Sequence, residues 1–332
     1  MSEIREVLNN AIMSYDKFDT SVNAQVIVNN WFDLIEQSKQ EIFRLNEIDT
    51  QNNNGFKIDY SIIDSMKDRL IQVEDQYKRI ISMKKDMKNN YILGKEQDNL
   101  GTVCLVYDGN TYTLIEFIAK CILSHNALIV VCESEFAIAT NELFVLLAQK
   151  VLKASNVPEG LIQFYYTGDI KEVLFNNVSI AKVFVSGNKE FQRRVVVESK
   201  MPVVTIGYNY SEIYVEDDTN IELIKNIIEE NPQNIDIYVK NGIDDFDNAI
   251  VVGSMDEAIM HINSTGSGYS SAIFTSNPQN GAEFLKEVKS SYVGYNVSPL
   301  VEIYDCLDMR DLLMEKNMYY PTPLKGELRI EV

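Results

Sequence analysis

The chain has 332 residues, 45% of them apolar and 24% charged, which is enough for two domains with a core each. Its formal charge of −19, from 30 basic and 49 acidic residues, repels polyanions and so excludes nucleic acid and anionic membrane surfaces as expected partners. Residues 1–19 lack the apolar stretch of a secretory signal, and no apolar run approaches the roughly 18–20 residues that cross a bilayer, so a cytoplasmic location is expected.

The first hundred residues read as helical. Trp31, Leu34, Ile35, Ile42 and Leu45 fall on one stripe, and Met66, Leu70, Val73, Tyr77 and Ile80 on another, separated by the polar turn 49–56. From Gly101 the texture changes to short apolar runs alternating with helical stretches. Strands are predicted at 101–107, 127–132, 161–167, 182–187 and 201–207, with helices to Ser124, to about Lys153 and around Phe191. Asp169 and Glu172 have capping-box spacing at the start of another helix. Strands apolar throughout and spaced by helices predict a parallel sheet covered on both faces, a Rossmann-like α/β domain. Beyond it, Thr219 with Glu222 and Ser254 with Glu257 fit capping boxes, and Asn277-Pro278 fits an N-cap followed by proline. Further strands are predicted at 211–215, 248–252, 271–275 and 292–296, and the alternating tail GELRIEV (326–332) suits an edge strand.

Four of these segments, in this order, resemble the aldehyde dehydrogenase superfamily and, within it, γ-glutamyl phosphate reductase. They are DSMKDRLIQVEDQYKRI (64–80), GTVCLVYDGNTYTLIEFIAKCILSHNALIV (101–130), IGYNYSEIYVEDDTNIEL (206–223) and the long segment 254–298. In the second, His125 stands where the family's turn has glycine, and Cys121 falls at a packing position. The resemblance implies a nucleotide-binding-type domain over 1–213 and 297–332, with N-terminal helices and a C-terminal oligomerisation strand. It implies a truncated catalytic-type domain over 214–296.

The family's reaction needs a cysteine thiolate and a nicotinamide cofactor, NAD or NADP. In the interval where the resemblance places that cysteine, 226–252, the chain has none, and the distance from Gly207 to Ser254 is too short for the family pattern. A large internal deletion is the expected cause. Of the four cysteines, Cys104 and Cys121 read as core thiols, and Cys306 is unreadable. Cys132, at the carboxyl end of a strand, is the stronger nucleophile candidate, although it stands in place of the lysine of a cofactor-binding turn. The spacings offer no C-x-x-C motif, and His125 and His261 are too few for a zinc site.

The resemblance implies Glu135 as the carboxylate for the adenosine ribose hydroxyls. It implies Asn110 as the amide that polarises the oxyanion, with Tyr112 as the equivalent if the alignment slips by two residues. Gly187 and Gly207 fall at turns of the cofactor site, and Thr205 replaces the glutamate base of hydrolytic members. Lys189, Arg193 and Arg194 could meet a nucleotide phosphate or form a solvated helix face. Asp244, Asp245 and Asp247 read as an exposed turn more readily than as a calcium loop. Three readings stay open: a pseudoenzyme that binds a ligand or partner with the cofactor site kept or lost, an NAD(P)-dependent reductase of an acyl phosphate or aldehyde, and a structural subunit. A homo-oligomer such as a dimer, or an assembly with an active relative, is expected.

Overall fold

The computed structural model describes residues 3–52, 55, 57–73, 76–86, 91–133, 135–167, 170–175, 179–206, 211–218, 220–230, 235–299 and 307–321. The chain divides into two compact units, Met1–Phe184 with Glu198–Val203 and Leu307–Val332, and Val185–Val197 with Val204–Cys306.

Four helices open the first unit: α1 (Glu3–Asp16), α2 (Ala24–Gln37), α3 (Lys39–Gln51) and α4 (Tyr60–Leu70). Asn23 caps α2 by accepting the Val26 N–H, and Asp59 caps α4 by accepting the Ser61 N–H. The stripe from Trp31 to Leu45 spans two helices rather than one, divided at Ser38, which ends α2 and starts α3. The stripe from Met66 to Ile80 is also divided. Helix α4 ends at Leu70, and Ile80 opens strand β1 (Ile80–Asp86), which pairs antiparallel with β2 (Tyr91–Asn99). Helical spacing continued across this turn by coincidence, and the local charge in MKKD and GKEQ hid the two strands.

The predicted α/β series follows: β3 (Thr102–Tyr107), α5 (Thr111–Leu123), β4 (Ala127–Cys132), α6 (Ile138–Ala154), β5 (Ile162–Tyr166), α7 (Lys171–Phe175), β6 (Lys182–Ser186), α8 (Lys189–Glu198) and β7 (Val203–Ile206). The strand order is β5-β4-β3-β6-β7, and β4 pairs parallel with β3 and β5. Every residue of β3 and β4 is buried, as apolar strands covered on both faces must be. The N-terminal helices pack on this series. The Trp31 indole N–H donates to the Phe144 carbonyl (3.3 Å), and the Asp49 carboxylate accepts both the hydroxyl (2.5 Å) and the N–H (2.9 Å) of Thr140.

Helix α5 is buried along all 13 residues. It carries an ion pair into that interior: Lys120 Nζ lies 2.5 Å from Glu116 Oε1 and also donates to the Leu307 carbonyl, while Arg69 on α4 stands 3.6 Å from the same carboxylate oxygen. The turn after α5 is built by Asn126. Its Oδ1 accepts the N–H groups of Leu100 and Gly101, and its Nδ2 donates to Ser124 Oγ and the Leu312 carbonyl. His125 adopts a left-handed φ of 57° and stacks its ring between Phe18 and Tyr77, with centroids 5.4 and 4.4 Å away.

The second unit holds a parallel sheet of β8 (Ser211–Val215), β9 (Ile235–Lys240), β10 (Ile250–Val252), β11 (Ser270–Phe274) and β12 (Tyr292–Tyr295), in the order β10-β9-β8-β11-β12. Three helices join these strands: α9 (Ile221–Glu230), α10 (Met255–Thr265) and α11 (Pro278–Glu287). Alternation within the strands divides the core. Tyr214, Tyr238 and Ile273 meet α10 and α11 on one face, and Ile213, Val215 and Ile237 meet α9 on the other. Two of the predicted helix starts are observed: Ser254 accepts the Glu257 N–H while Glu257 reaches back to the Gly253 N–H, and Asn277 accepts the Gln279 N–H ahead of Pro278. Asp169 and Thr219 lie outside the described residues. Strand β9 was missed in the sequence. It passes to β10 through 241–249 without a helix, and Ile243, Phe246 and Ala249 of that connection cover the sheet face themselves. The last described strand, β13 (Leu313–Pro321), returns to the first unit and pairs antiparallel with β2, so the small sheet has the order β1-β2-β13. The tail 326–332, read as an edge strand, lies outside the described residues.

Replacing Lys120 with Met leaves the buried Glu116 carboxylate with Arg69, 3.6 Å away, as its remaining cationic neighbour, and a loss of about 3 kcal/mol is expected. The double change Glu116→Leu, Lys120→Met removes both charges and should cost markedly less than the single change. Urea unfolding of the three proteins measures the difference.

Candidate functional site

In open α/β sheets, ligands bind beyond the carboxyl ends of the strands. At the end of β3 the chain turns through Asp108, Gly109 and Asn110. Gly109 has φ of 101°, and a Cβ there would come within 2.5 Å of the Phe136 carbonyl oxygen, so this turn admits only glycine. Asn141 fixes it from α6 by donating to the Gly109 carbonyl (2.6 Å). Asn110 is the N-cap of α5: its Oδ1 accepts the N–H groups of Tyr112 (2.9 Å) and Thr113 (3.2 Å). The cap commits the side-chain oxygen to the helix and orients Nδ2 as the remaining donor. The Tyr112 hydroxyl is engaged elsewhere, accepting the Asp59 N–H at 2.8 Å.

Asp108 was not singled out in the sequence. Its Oδ1 accepts the Asn110 N–H at 3.3 Å, and burial pushes its carboxyl up to about 6. The signal available was an acidic residue directly after an all-apolar strand, in a turn that also holds glycine and a helix cap.

At the end of β4, Cys132 is fully buried, in register with Tyr107 on β3 and Tyr166 on β5. Glu135 follows on the surface, with the Tyr166 hydroxyl 3.5 Å from its Oε1. Burial and the Glu135 charge both raise the Tyr166 hydroxyl. The first unit therefore brings Asp108, Asn110, Cys132 and Glu135 to the carboxyl edge of its strands.

Gly187 belongs to the second unit, after β6, with φ of 150°. Its carbonyl accepts Gln192 Nε2 (2.8 Å), and Asn188 caps α8 by accepting the Phe191 N–H (2.9 Å). Arg193 and Arg194 are exposed, the latter with its guanidinium 5.3 Å from the centre of the Phe191 ring. Thr205 is exposed on β7. Gly207, Cys306 and the side chain of Lys189 lie outside the described residues. Asp244, Asp245 and Asp247 are exposed in the β9–β10 connection, where Asp245 lies 3.4 Å from Lys225.

The three described thiols lie in the interior. Cys104, Cys121 and Cys132 are all fully buried. Burial pushes the Cys104 thiol up to about 12 and raises that of Cys121 further, whereas a nucleophile needs a depressed value. In the interval 226–252, expected to hold the family's cysteine, the described residues form the end of α9, β9, the irregular connection and β10.

No protein-family profile matches the chain. Among curated relatives, a γ-glutamyl phosphate reductase from Halothermothrix orenii is 24% identical over 331 positions, covering 79% of this chain and 79% of the relative. An alignment of 331 positions that uses only 79% of a 332-residue chain leaves some of the relative's positions without a counterpart here. Among solved structures, γ-glutamyl phosphate reductase from Thermotoga maritima superposes with a TM-score of 0.70 at 16% identity, covering 99% of this chain and 100% of that one. A glyceraldehyde-3-phosphate dehydrogenase from Methanocaldococcus jannaschii, solved with NADP, gives 0.74 at 14% identity, covering 96% and 94%. The fold is that of these enzymes, and the resemblance read from the four sequence segments holds.

Because the folded state holds the Asp108 proton more tightly than the unfolded chain, its contribution to stability falls as pH rises from about 4 to about 6. Asp108→Asn should therefore match the parent at pH 4 and exceed it by about 2–3 kcal/mol above pH 7. Denaturant unfolding at pH 4, 6 and 8 tests this. A pH-independent difference would contradict it.

Proposed function

We propose that this chain, a γ-glutamyl-phosphate-reductase-like protein with the aldehyde dehydrogenase fold, binds a nicotinamide dinucleotide at the carboxyl edge of its first sheet. The observation that carries the reading is the relationship itself, which runs over about four fifths of the chain and of its relatives. The local geometry fits a dinucleotide. Glu135 is an exposed carboxylate at the end of β4, suited to ribose hydroxyls. Bound there, the nicotinamide supplies hydride chemistry. Asn110, oriented by its capping bonds, would offer Nδ2 to a developing oxyanion.

Two activities follow. The names of the relatives favour the first, an NAD(P)-dependent reductase of an acyl phosphate or aldehyde. Its nucleophile would then come from outside the family's interval, with Cys132 or Cys306 as the thiols to test. The burial of Cys104, Cys121 and Cys132 favours the second, a pseudoenzyme that keeps the cofactor site and acts by binding. In both, the partner we propose is a second copy of this chain in a cytoplasmic homo-oligomer. Strand β13 is an edge of the small sheet and exposes Met314, Tyr319 and Tyr320.

Thermal unfolding with NAD⁺, NADP⁺ and their reduced forms comes first. A ligand present at a hundred times its dissociation constant adds about 2.7 kcal/mol if it binds only the folded state. We expect a shift with at least one dinucleotide and a smaller one for Glu135→Ala. Turnover of an acyl phosphate, followed by nicotinamide absorbance, then separates the readings across four single Cys→Ser variants. Turnover abolished by one serine establishes the reductase, and binding without turnover establishes the pseudoenzyme. No shift with any dinucleotide would sink both.

A further inference from the structure

The carboxyl edge of the first sheet carries charges that distinguish between the two nicotinamide dinucleotides. Strand β3, the turn at Gly109, helix α5 and strand β4 form a β–α–β unit whose two strands pair in parallel. In units of this kind the chain just beyond the second strand meets the adenosine ribose. An acidic side chain there accepts the ribose hydroxyls, whereas an arginine nearby serves a ribose that carries a 2′-phosphate. Here the second strand ends at the buried Cys132, and Glu133 and Glu135 follow it.

Glu135 is exposed and held in place. Tyr166 ends β5 in register with Cys132, and its hydroxyl donates to Glu135 Oε1 at 3.5 Å. Burial and the Glu135 charge raise that hydroxyl, which keeps it protonated and therefore a donor. One such bond uses one of the roughly four acceptor positions of a carboxylate, so Glu135 keeps capacity for two ribose hydroxyls.

The same edge of this unit is short of cations. The sequence has no lysine or arginine between Lys120 and Lys150, nor between Lys153 and Lys171. Lys120 is buried against Glu116, and Lys171 lies 3.4 Å from Glu198. Lys150 and Lys153 are in the last turns of α6, on its way to the opposite edge, where Lys153 meets Glu159 ahead of β5 at 3.0 Å. A phosphate monoester carries a charge of about −1.5 to −2 at neutral pH. Placed beside Glu135 it would meet a like charge with no ammonium or guanidinium to offset it, whereas the hydroxyl it replaces is a neutral donor.

We infer that the dinucleotide of this site is NAD(H), and that Glu135 accepts its ribose hydroxyls and excludes NADP(H) by charge. The inference rests on the dinucleotide-binding reading and commits it to one cofactor class.

The test is titration of the full chain with NADH and with NADPH at constant ionic strength, followed by nicotinamide fluorescence. NADH is expected to bind about tenfold or more tightly than NADPH. Glu135→Gln keeps an acceptor and removes the charge, so it should abolish most of that ratio, chiefly by tightening NADPH. Glu159→Gln removes the same charge at the opposite edge and should leave the ratio unchanged. Circular dichroism confirms that each variant is folded. Equal affinities, tighter binding of NADPH, or a ratio that survives Glu135→Gln would each overturn the assignment while dinucleotide binding stands. Binding of neither cofactor by folded protein would remove the dinucleotide reading itself, and this inference with it.

Discussion

The first unit depends on how helix α5 accommodates two charges in a fully buried position. A helix apolar on most sides belongs in an interior, and an isolated charge there is costly. Glu116 and Lys120 lie one turn apart, so each can neutralise the other, and the remaining valences are filled from outside the helix by Arg69 of α4 and the carbonyl of Leu307. Helices α4 and α5 and the C-terminal segment at Leu307 thereby meet at a single carboxylate–ammonium pair. Asn126 does the same with neutral hydrogen bonds, tying the strand start at Leu100 and Gly101 to Leu312. Hydrophobic burial alone would hold these segments together, but it would not set where they meet.

The parts of the fold legible in the sequence were those whose local pattern and final environment agree. ALIVVC is apolar throughout because β4 is buried on both faces, and its bounds came out as read. The caps at Ser254 and Asn277 were legible because a cap is a local hydrogen bond between residues two or three apart. Strands β1, β2 and β13 were not, because a small sheet with a solvated face can be built from MKKD and GKEQ, whose charges resemble a helix surface. Strand β9 was hidden for a different reason: no helical stretch separates it from β10, and its place is set by pairing with β8 and β10, a tertiary constraint that no local pattern announces.

The site was legible to the same extent. The resemblance names Asn110 and Glu135 as candidates, but that Asn110 caps α5 follows only from the turn at Gly109. Asp108 went unnoticed because its raised carboxyl is produced by burial, and burial of a polar residue at a strand end depends on what packs above it. The absence of a cysteine between 226 and 252, by contrast, needs no structure to be seen, and the structure adds that Cys104, Cys121 and Cys132 are buried.

The fold makes fewer demands on sequence than a nucleophile does, for a physical reason. In a parallel α/β sheet, stability comes from covering both faces of the strands, and a crossover helix is one way among several to do this. Between β9 and β10 the cover is supplied by Ile243, Phe246 and Ala249 from an irregular connection, so the sheet keeps its order with a shorter chain. Chemistry is less tolerant, because a thiolate needs one residue at one place with a depressed pKa. A deletion in such a unit can therefore remove the reaction and leave the architecture, and fold similarity at 14–16% identity fixes only the second. Residues that still cost something to keep are then the better guide to what selection retains. A desolvated carboxyl at Asp108, a left-handed glycine under Phe136 and an amide cap at Asn110 lie together at the end of β3, where packing alone would have accepted cheaper residues.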